Sequence, residues 1–377
     1  MPPTVGGKER NILQIVEHLQ PHFRFTVFSP NPEVQFSDAL NRIDGSTQHI
    51  VVPEFTRLSL SGIRTLARLF KEHGVDIVHS HEVRGRTHGH LAASLRSIPA
   101  IHTVHMSPLF HSDSSIKTAA YQLLDTAFNR AFSKHIIFVS NNVREEHIKR
   151  RMVHPRDAHF IPNGIDSRQI QSFGEKASAT KEEIRAQLGI PPSVRLGLSV
   201  GRLHRQKGYD ILLDAVALSQ ESFVLPDFHI IIAGDGPLRA SLETQANSLG
   251  VNSIVSFAGW KSTEQIAELL VGSDFFVLPS RFECFPYALL EAAAAGLPTV
   301  TTNVGGNNEI VLDGKSGYVV EPESAEAFAK GLERLLGNPE KMAQAKQAAL
   351  NHVRQFTLAE MLSKTQQVYE IALKDIS

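Results

Sequence analysis

Short apolar runs and longer amphipathic stretches alternate along the chain. Runs rich in β-branched and other apolar residues, such as Leu196–Val200 and Phe275–Leu278, fit buried strands. Stretches such as Gly208–Ser219 and Tyr287–Ala295 follow them with apolar residues at helical spacing. This regular alternation predicts an α/β protein with mainly parallel sheets that helices cover on both faces.

The alternation occurs in two series, which meet at a polar segment, Ser167–Ala179. We therefore predict two Rossmann-like domains, an N-terminal one over residues 1–168 and a C-terminal one over residues 169–358. A doubly wound domain normally opens with a buried strand, whereas this chain opens in a glycine-containing turn followed by a helical pattern. The N-terminal domain is therefore predicted to lack its first strand.

Length and composition agree with this organisation. The 377 residues suit two domains of ordinary size, and the 42% of apolar residues is typical of a globular protein. There is no uninterrupted apolar run of about 18 residues, and the first residues lack the features of a signal peptide, so we expect a cytoplasmic protein. The single cysteine, Cys284, cannot form an internal disulfide, which fits a reducing compartment.

Charge is distributed unevenly along the chain. Residues 1–170 contain 20 Lys and Arg against 15 Asp and Glu, a balance of +5, and the remainder contains 18 against 24, a balance of −6. This is either ordinary surface variation or a sign that the N-terminal half faces an anionic partner, such as a membrane surface or a phosphate-bearing acceptor. No long basic run is interleaved with aromatic residues, so nucleic acid is not an expected partner.

The densest candidate chemistry lies in Ser280–Val300, where two acids, Glu283 and Glu291, are separated by seven residues. Pro286 stands where a first helical residue would, because its missing N–H costs nothing there. Glu283 is therefore expected in the loop after a strand, and Glu291 on the following helix. The N–H groups at the start of this helix, including those of Phe285 and Tyr287, would point toward an anion. Taken alone, two glutamates in this arrangement more often belong to a solvent-facing helix than to a binding site.

A second candidate segment, Ser199–Tyr209, joins a predicted strand to a predicted helix and carries Arg202 and Lys207. Guanidinium and ammonium groups are common ligands of phosphate, although a basic turn taken alone is more often a solvated loop. Three further turns carry weaker signals. They contain Gly234 and Gly236 (AGDGP), Trp260 (SFAGW) and Gly305–Glu309 (GGNNE).

Together these segments resemble glycosyltransferase family 4, the retaining enzymes of GT-B fold. The similarity lies in the two candidate segments, the AGDGP turn, Ile161–Asp166 (IPNGID) and Gly305–Pro322. It continues through the N-terminal half in Pro3–Arg10 (PTVGGKER), Asp76–His81 (DIVHSH) and Ile101–His105 (IHTVH). The resemblance implies two facing Rossmann-like domains, with a C-terminal helix, residues 359–377, that crosses back to the N-terminal domain.

The resemblance also implies roles for individual residues. It assigns the donor diphosphate to Arg202 and Lys207, its close backbone approach to Gly6 and Gly7, the ribose to Glu291, the sugar hydroxyls to Glu283, the reacting sugar to His105, and the rest of the donor pocket to Gly234, Gly236, Trp260, Phe285, Pro286 and Tyr287. His81, on a neighbouring strand, is a weaker candidate.

The implied activity is transfer of a sugar from a UDP- or GDP-sugar to a hydroxyl of a glycan, a lipid-linked acceptor or a small molecule, with retention of anomeric configuration. No cofactor is expected, and no metal, because no Asp-x-Asp segment suited to a metal between phosphates is present. Two alternatives remain open at this point. One is a nucleotide-sugar epimerase on the same fold, and the other is an inactive sugar-nucleotide-binding protein, which the short N-terminus would favour. The family usually has Gly where Cys284 stands, so the sugar pocket is expected to differ there.

Overall fold

The computed structural model describes residues 6–30, 34–43, 47–53, 59–106, 115–166, 180–223 and 225–375. The chain divides into two compact units. The C-terminal unit comprises residues 164–358, and the N-terminal unit comprises residues 2–163 together with 359–377. The predicted domain boundary at residue 168 falls in 167–179, outside the described residues.

The N-terminal unit alternates strands with helices. Its elements are α1 (Gly7–Leu19), β1 (Thr26–Ser29), α2 (Val34–Ile43), β2 (Gln48–Val51), α3 (Leu60–Glu72), β3 (Val78–Ser80), α4 (Val83–Ser94), β4 (Ala100–Val104), α5 (Ser115–Phe132), β5 (His135–Phe138), α6 (Asn141–Lys149) and β6 (Ala158–Phe160).

The C-terminal unit continues the same alternation. Its elements are α7 (Lys181–Gln187), β7 (Arg195–Val200), α8 (Tyr209–Ser222), β8 (Phe228–Ala233), α9 (Arg239–Ser248), β9 (Val255–Gly259), α10 (Thr263–Gly272), β10 (Phe275–Leu278), α11 (Tyr287–Ala294), β11 (Thr299–Thr302), α12 (Asn307–Ile310), β12 (Gly317–Val320), α13 (Ala325–Leu336) and α14 (Pro339–His352). The last helix, α15 (Leu358–Lys374), lies almost wholly in the N-terminal unit.

The strands of the N-terminal unit form two parallel sheets, β1–β2 and β3–β4–β5–β6. Among the described residues no strand precedes α1, and β1 does not pair with β3. One apolar core nevertheless connects the two sheets, because Leu66 and Phe70 of α3 pack with Phe28 of β1 and Val78 of β3. The helices covering this face therefore hold both sheets in one unit.

Helix α15 packs on the N-terminal unit through specific contacts. The Tyr369 hydroxyl lies 2.7 Å from His79 Nδ1 on β3, and its ring meets Phe23 edge-on at 5.3 Å between centroids. Met361 near its start contacts Asn11 of α1, whose amide lies 3.5 Å from the Met361 sulfur. The end of the chain thus belongs structurally to the unit in which the chain begins.

The C-terminal unit contains one six-stranded parallel sheet in the order β12–β11–β10–β7–β8–β9. This is the order of a doubly wound Rossmann sheet. The strands after β7 are added on one side of it up to β9, and those from β10 onward are added on its other side, so the switch point lies between β7 and β10. At such a switch point the loops after the two central strands diverge and leave a crevice at their carboxyl ends. A ligand of this sheet is therefore expected beside the residues that follow β7 and β10.

Candidate active site

The turn after β7 presents Lys207 at this crevice. Residues Arg205–Lys207 form a single 3-10 turn, which the His204 side chain caps by accepting from the Gln206 N–H. The turn ends at Gly208, whose φ of 66° is in the left-handed region. A Cβ on Gly208 would overlap the carbonyl oxygen of Pro279, so the turn lies directly against the loop after β10.

Lys207 and Glu283 meet in the crevice. The Lys207 ammonium lies 2.6 Å from Glu283 Oε1, and the Ser280 hydroxyl donates to the same oxygen over 2.8 Å. The two side chains are 16% and 7% exposed, so solvent screens their interaction much less than that of a surface pair. The structure thus brings together two residues that sequence analysis placed in separate segments.

The other residues predicted to bind the donor lie around the same edge of the sheet. Arg202 follows β7, is exposed, and makes no ion pair within the described part of the chain. Glu291 is half-buried on α11. Pro286 is the residue that caps α11, so the prediction that it would be the first helical residue was wrong by one position. Its ψ of 128° keeps it extended, and the helix begins at Tyr287, beside the buried Phe285.

The turn after β8 packs tightly against the turn after β7. A Cβ at Gly234 would overlap the carbonyl oxygen of Gly201, and one at Gly236 would overlap that of Leu203. These two glycines therefore have a packing reason to lack side chains, whatever their role toward a ligand. Trp260, just after β9, is 41% exposed and leaves its indole available to a planar group.

The candidate residues of the N-terminal unit lie on different elements. Gly6 caps α1 and Gly7 opens it, while Lys8 forms ion pairs with Glu9 and Glu82. His105 follows β4, and its Nε2 lies 2.9 Å from Nδ1 of His81. The two rings stack with centroids 5.2 Å apart.

Burial keeps these histidines neutral. It lowers the pKa of His105 to about 3, with a smaller contribution from the charge of Lys8. Burial likewise lowers the pKa of His81 well below its ordinary value, and the neighbouring rings of His79 and His105 add to the effect. A neutral imidazole has one donor and one acceptor nitrogen, so the contact between His81 and His105 couples the two rings: one of the two facing nitrogens holds its proton and the other accepts it.

One pair of residues in the C-terminal unit was not predicted from the sequence. Arg281, beside Ser280, forms a two-pronged ion pair with Asp210, on the first turn of α8. Nothing in the local pattern around either residue signals the contact, because they are 71 positions apart and meet only through the order of the strands.

The fold and this site define a class. A doubly wound sheet binds its ligands in the crevice at the switch point, and a lysine in that crevice is suited to a phosphate, so the chain has the features of an α/β enzyme that binds a phosphorylated ligand. Comparison with known proteins narrows the class to a family. A model described as "Glycosyl transferases group 1" matches residues 180–352, and one described as "Glycosyltransferase Family 4" matches residues 5–169. The chain belongs to this glycosyltransferase family and is a glycosyltransferase.

Individual relatives agree with the family models. The chain is 28% identical over 375 residues to the Escherichia coli UDP-Gal:alpha-D-GlcNAc-diphosphoundecaprenol alpha-1,3-galactosyltransferase, covering 97% of this chain and 94% of that protein. It is 30% identical over 319 residues to the D-inositol 3-phosphate glycosyltransferase of Mycolicibacterium gilvum, covering 80% of this chain and 67% of the relative.

A solved structure shows the same fold. Anabaena Alr3699/HepE, in complex with UDP and glucose, superposes with a TM-score of 0.80 at 20% identity, over 97% of this chain and 96% of that one. The predicted GT-B fold is therefore confirmed. Among the helices described here, none is long and apolar enough to cross a membrane.

Proposed function

We propose that this glycosyltransferase transfers a sugar from a nucleoside-diphosphate sugar, UDP- or GDP-linked, to a hydroxyl group of a glycan or lipid-linked acceptor, with retention of configuration. The observation that carries the proposal is the contact between Lys207 and Glu283 at the switch point of the C-terminal sheet. A cation and a carboxylate in contact there offer one group to a phosphate and another to sugar hydroxyls.

Charge explains the role of the cations. When the anomeric bond breaks, the leaving nucleoside diphosphate gains negative charge, and positive groups already in position stabilise it. Lys207 is held in place by Glu283, and the exposed Arg202 lies in the same segment after β7. On donor binding, the Lys207 ammonium would turn from Glu283 to the diphosphate, and the Glu283 carboxylate would accept hydrogen bonds from the sugar.

The substrate classes rest on the relatives. The E. coli relative is named for a UDP-galactose donor and a diphosphoundecaprenol-linked acceptor, and the Anabaena structure holds UDP and glucose. A lipid-linked acceptor would bring the N-terminal unit to a membrane surface, which agrees with the +5 balance of residues 1–170. Glu291 toward the ribose and His105 toward the reacting sugar remain predictions.

A panel of nucleotide sugars tests the donor. Each is added to the whole protein at increasing concentration while the melting temperature is followed. A donor at about 100 times its dissociation constant should stabilise the folded state by about 2.7 kcal/mol, which raises the melting temperature measurably. The donor so found is then offered with candidate acceptors, and the anomeric proton coupling of the product is read by NMR. No transfer from any nucleotide sugar, or a product of inverted configuration, would contradict the proposal.

Metal independence is a separate part of the proposal. Because Lys207 and Arg202 supply the positive charge, turnover should persist after exhaustive chelation with EDTA. Loss of turnover that Mg²⁺ or Mn²⁺ restores would show that a metal neutralises the leaving group instead.

A further inference from the structure

The loop after β10 is attached to the turn that carries Lys207 by contacts that lie outside the candidate donor site. The backbone N–H of Arg281 donates to the backbone carbonyl of Gln206 over 2.8 Å, and the side-chain amide of Gln206 donates to the backbone carbonyl of Phe282 over 3.1 Å. The two loops are therefore bonded in both directions immediately beside Lys207 and Glu283.

The Arg281 side chain adds a second attachment. Its guanidinium donates to both oxygens of Asp210, over 2.8 and 2.6 Å, and to the carbonyl of Arg205 over 3.0 Å. The side chain is only 12% exposed. Burial alone would raise the pKa of Asp210, but the hydrogen bonds and charge of Arg281 outweigh it and lower that pKa. Asp210 is thus held as the anion that a two-pronged arginine contact requires.

These contacts place Arg281 between three structural elements. Asp210 fixes it to the first turn of α8, the Arg205 carbonyl fixes it to the 3-10 turn, and its own backbone belongs to the loop that carries Glu283. Lys207 is two residues from Arg205 and Glu283 is two residues from Arg281. A shift of the guanidinium would therefore move both members of the Lys207–Glu283 pair relative to each other.

We propose that Arg281 is a positioning residue, which acts through Asp210 and the Arg205 carbonyl to hold Lys207 where it meets the donor diphosphate. The inference rests on the proposed function, since it assumes that Lys207 binds that diphosphate. The Arg281 guanidinium contacts Asp210, a backbone carbonyl and, at 3.8 Å, Glu323, and this distinguishes it from Arg202, which is exposed.

The test is a double-mutant cycle read by binding of UDP and GDP and by donor turnover. Arg281→Gln removes the two-pronged contact with Asp210, and Lys207→Ala removes the side chain that Arg281 is proposed to position. The double variant carries both substitutions. A misplacement of about 1 Å can cost about 100-fold in rate, so we expect Arg281→Gln to lower kcat and nucleotide affinity by about 10- to 100-fold. Acceptor KM should be unchanged. In the Lys207→Ala background the same substitution should cost little further, because its target is gone.

Arg185→Gln is the matched control. Arg185 also forms a buried ion pair with an aspartate, Asp274, but at the opposite end of the sheet, before β10. The Arg185→Gln substitution should lower the melting temperature without changing nucleotide affinity. Asp210→Asn, which keeps the shape of its side chain, provides a second variant if Arg281→Gln folds poorly, and Arg281→Lys should recover only part of the loss, since lysine lacks the fork.

The outcomes separate the two proposals. Wild-type turnover and nucleotide affinity in Lys207→Ala would overturn the proposed function. The positioning role alone would be overturned if Lys207→Ala lowered turnover and nucleotide affinity while Arg281→Gln and Asp210→Asn left both at the wild-type level. So would equal losses from Arg281→Gln in the two backgrounds, because a merely structural effect is additive.

Discussion

The two units hold their candidate chemistry in opposite electrostatic states. In the C-terminal unit, Lys207 and Glu283 form an ion pair 2.6 Å long in the crevice of the sheet. In the N-terminal unit, His81 and His105 share a 2.9 Å hydrogen bond, and burial lowers the pKa of both so that they are neutral at pH 7.

Each unit is therefore suited to a different task. A fixed cation is suited to a leaving group that gains charge, whereas a neutral imidazole exchanges hydrogen bonds with hydroxyl groups without bringing a charge into an apolar region. The supports differ as well. Charged side chains and backbone contacts hold the ion pair, whereas the His81 ring lies against the ring of His79, with 4.1 Å between centroids. His79 in turn lies 2.7 Å from the hydroxyls of both Tyr369 and Thr103.

A substitution in the turn that carries Lys207 should have the strongest effect of all. Gly208→Ala places a Cβ against the carbonyl of Pro279 and forces alanine to a φ of 66°. We expect a loss of at least about 3 kcal/mol of folding free energy, and loss of turnover even where the protein still folds. Thermal unfolding and donor turnover of the same preparation measure both.

Gly250→Ala is the control for the alanine at Gly208. Gly250 has a φ of 69° but no atom within 4 Å of the added Cβ, so it isolates the backbone cost of about 1–2 kcal/mol. Its turnover should be normal. Equal effects of the two substitutions would show that the contact with Pro279 does not matter.

Acid should unfold the N-terminal unit before the C-terminal unit. Burial lowers the pKa of His90, on α4, to about 4, and that of the neighbouring His102 well below its ordinary value. Unfolded histidine takes up a proton near pH 6.5, so between that pH and about 4 the unfolded chain binds more protons than the folded one. Stability is therefore full above pH 6.5, and each histidine removes about 1.4 kcal/mol per pH unit as the pH falls.

Hydrogen exchange resolves the two units in that experiment. Samples equilibrated between pH 7 and 4 are pulse-labelled at one common pH and digested. Peptides covering β3–β5 should lose protection at a higher pH than peptides covering β7–β11, because three of the 18 histidines follow residue 170. Simultaneous loss of protection in both units would contradict the account.

A further prediction concerns membranes. Lys149, Arg150 and Arg151 are exposed at the end of α6 and are the first candidates for contact with anionic lipid. A basic residue near such a surface contributes about 1 kcal/mol, so replacing all three by Gln should weaken co-sedimentation with anionic vesicles. Lys315, Lys341 and Lys346, exposed on the C-terminal unit, serve as the control triplet. Equal binding of the wild-type protein to neutral and anionic vesicles would rule the contact out.

The sequence also offers Arg84 and Arg86, which stand together on α4, as candidates for contact with anionic lipid, but the structure excludes Arg86. Arg84 is exposed, but Arg86 is 5% exposed and pairs with Asp125 and Asn129 inside the unit. Only the packing of α4 on α5 distinguishes the two.

The same limit explains what could be predicted from the sequence. Periodicity placed the strands and helices of the C-terminal unit closely, with Tyr287–Ala295 observed as Tyr287–Ala294, because local spacing carries that information. The segment with Glu283 and Glu291 and the basic segment with Arg202 and Lys207 were found because the residues of each are close together in the sequence. The contacts between Arg281 and Asp210, and between His81 and His105, join residues 71 and 24 positions apart, and only strand order brings them together.

The most direct test of the central claim compares Glu283→Gln with Glu291→Gln in donor kinetics. Glu283 is proposed on the transferred sugar and contacts Lys207, so its replacement should lower kcat. Glu291 is proposed on the ribose, so its replacement should mainly raise the donor KM. A charge-assisted hydrogen bond contributes about 1.5–3 kcal/mol, or about 10- to 150-fold, to either constant. If both variants keep the wild-type kcat and KM on the donor, the Lys207–Glu283 crevice is not the donor site.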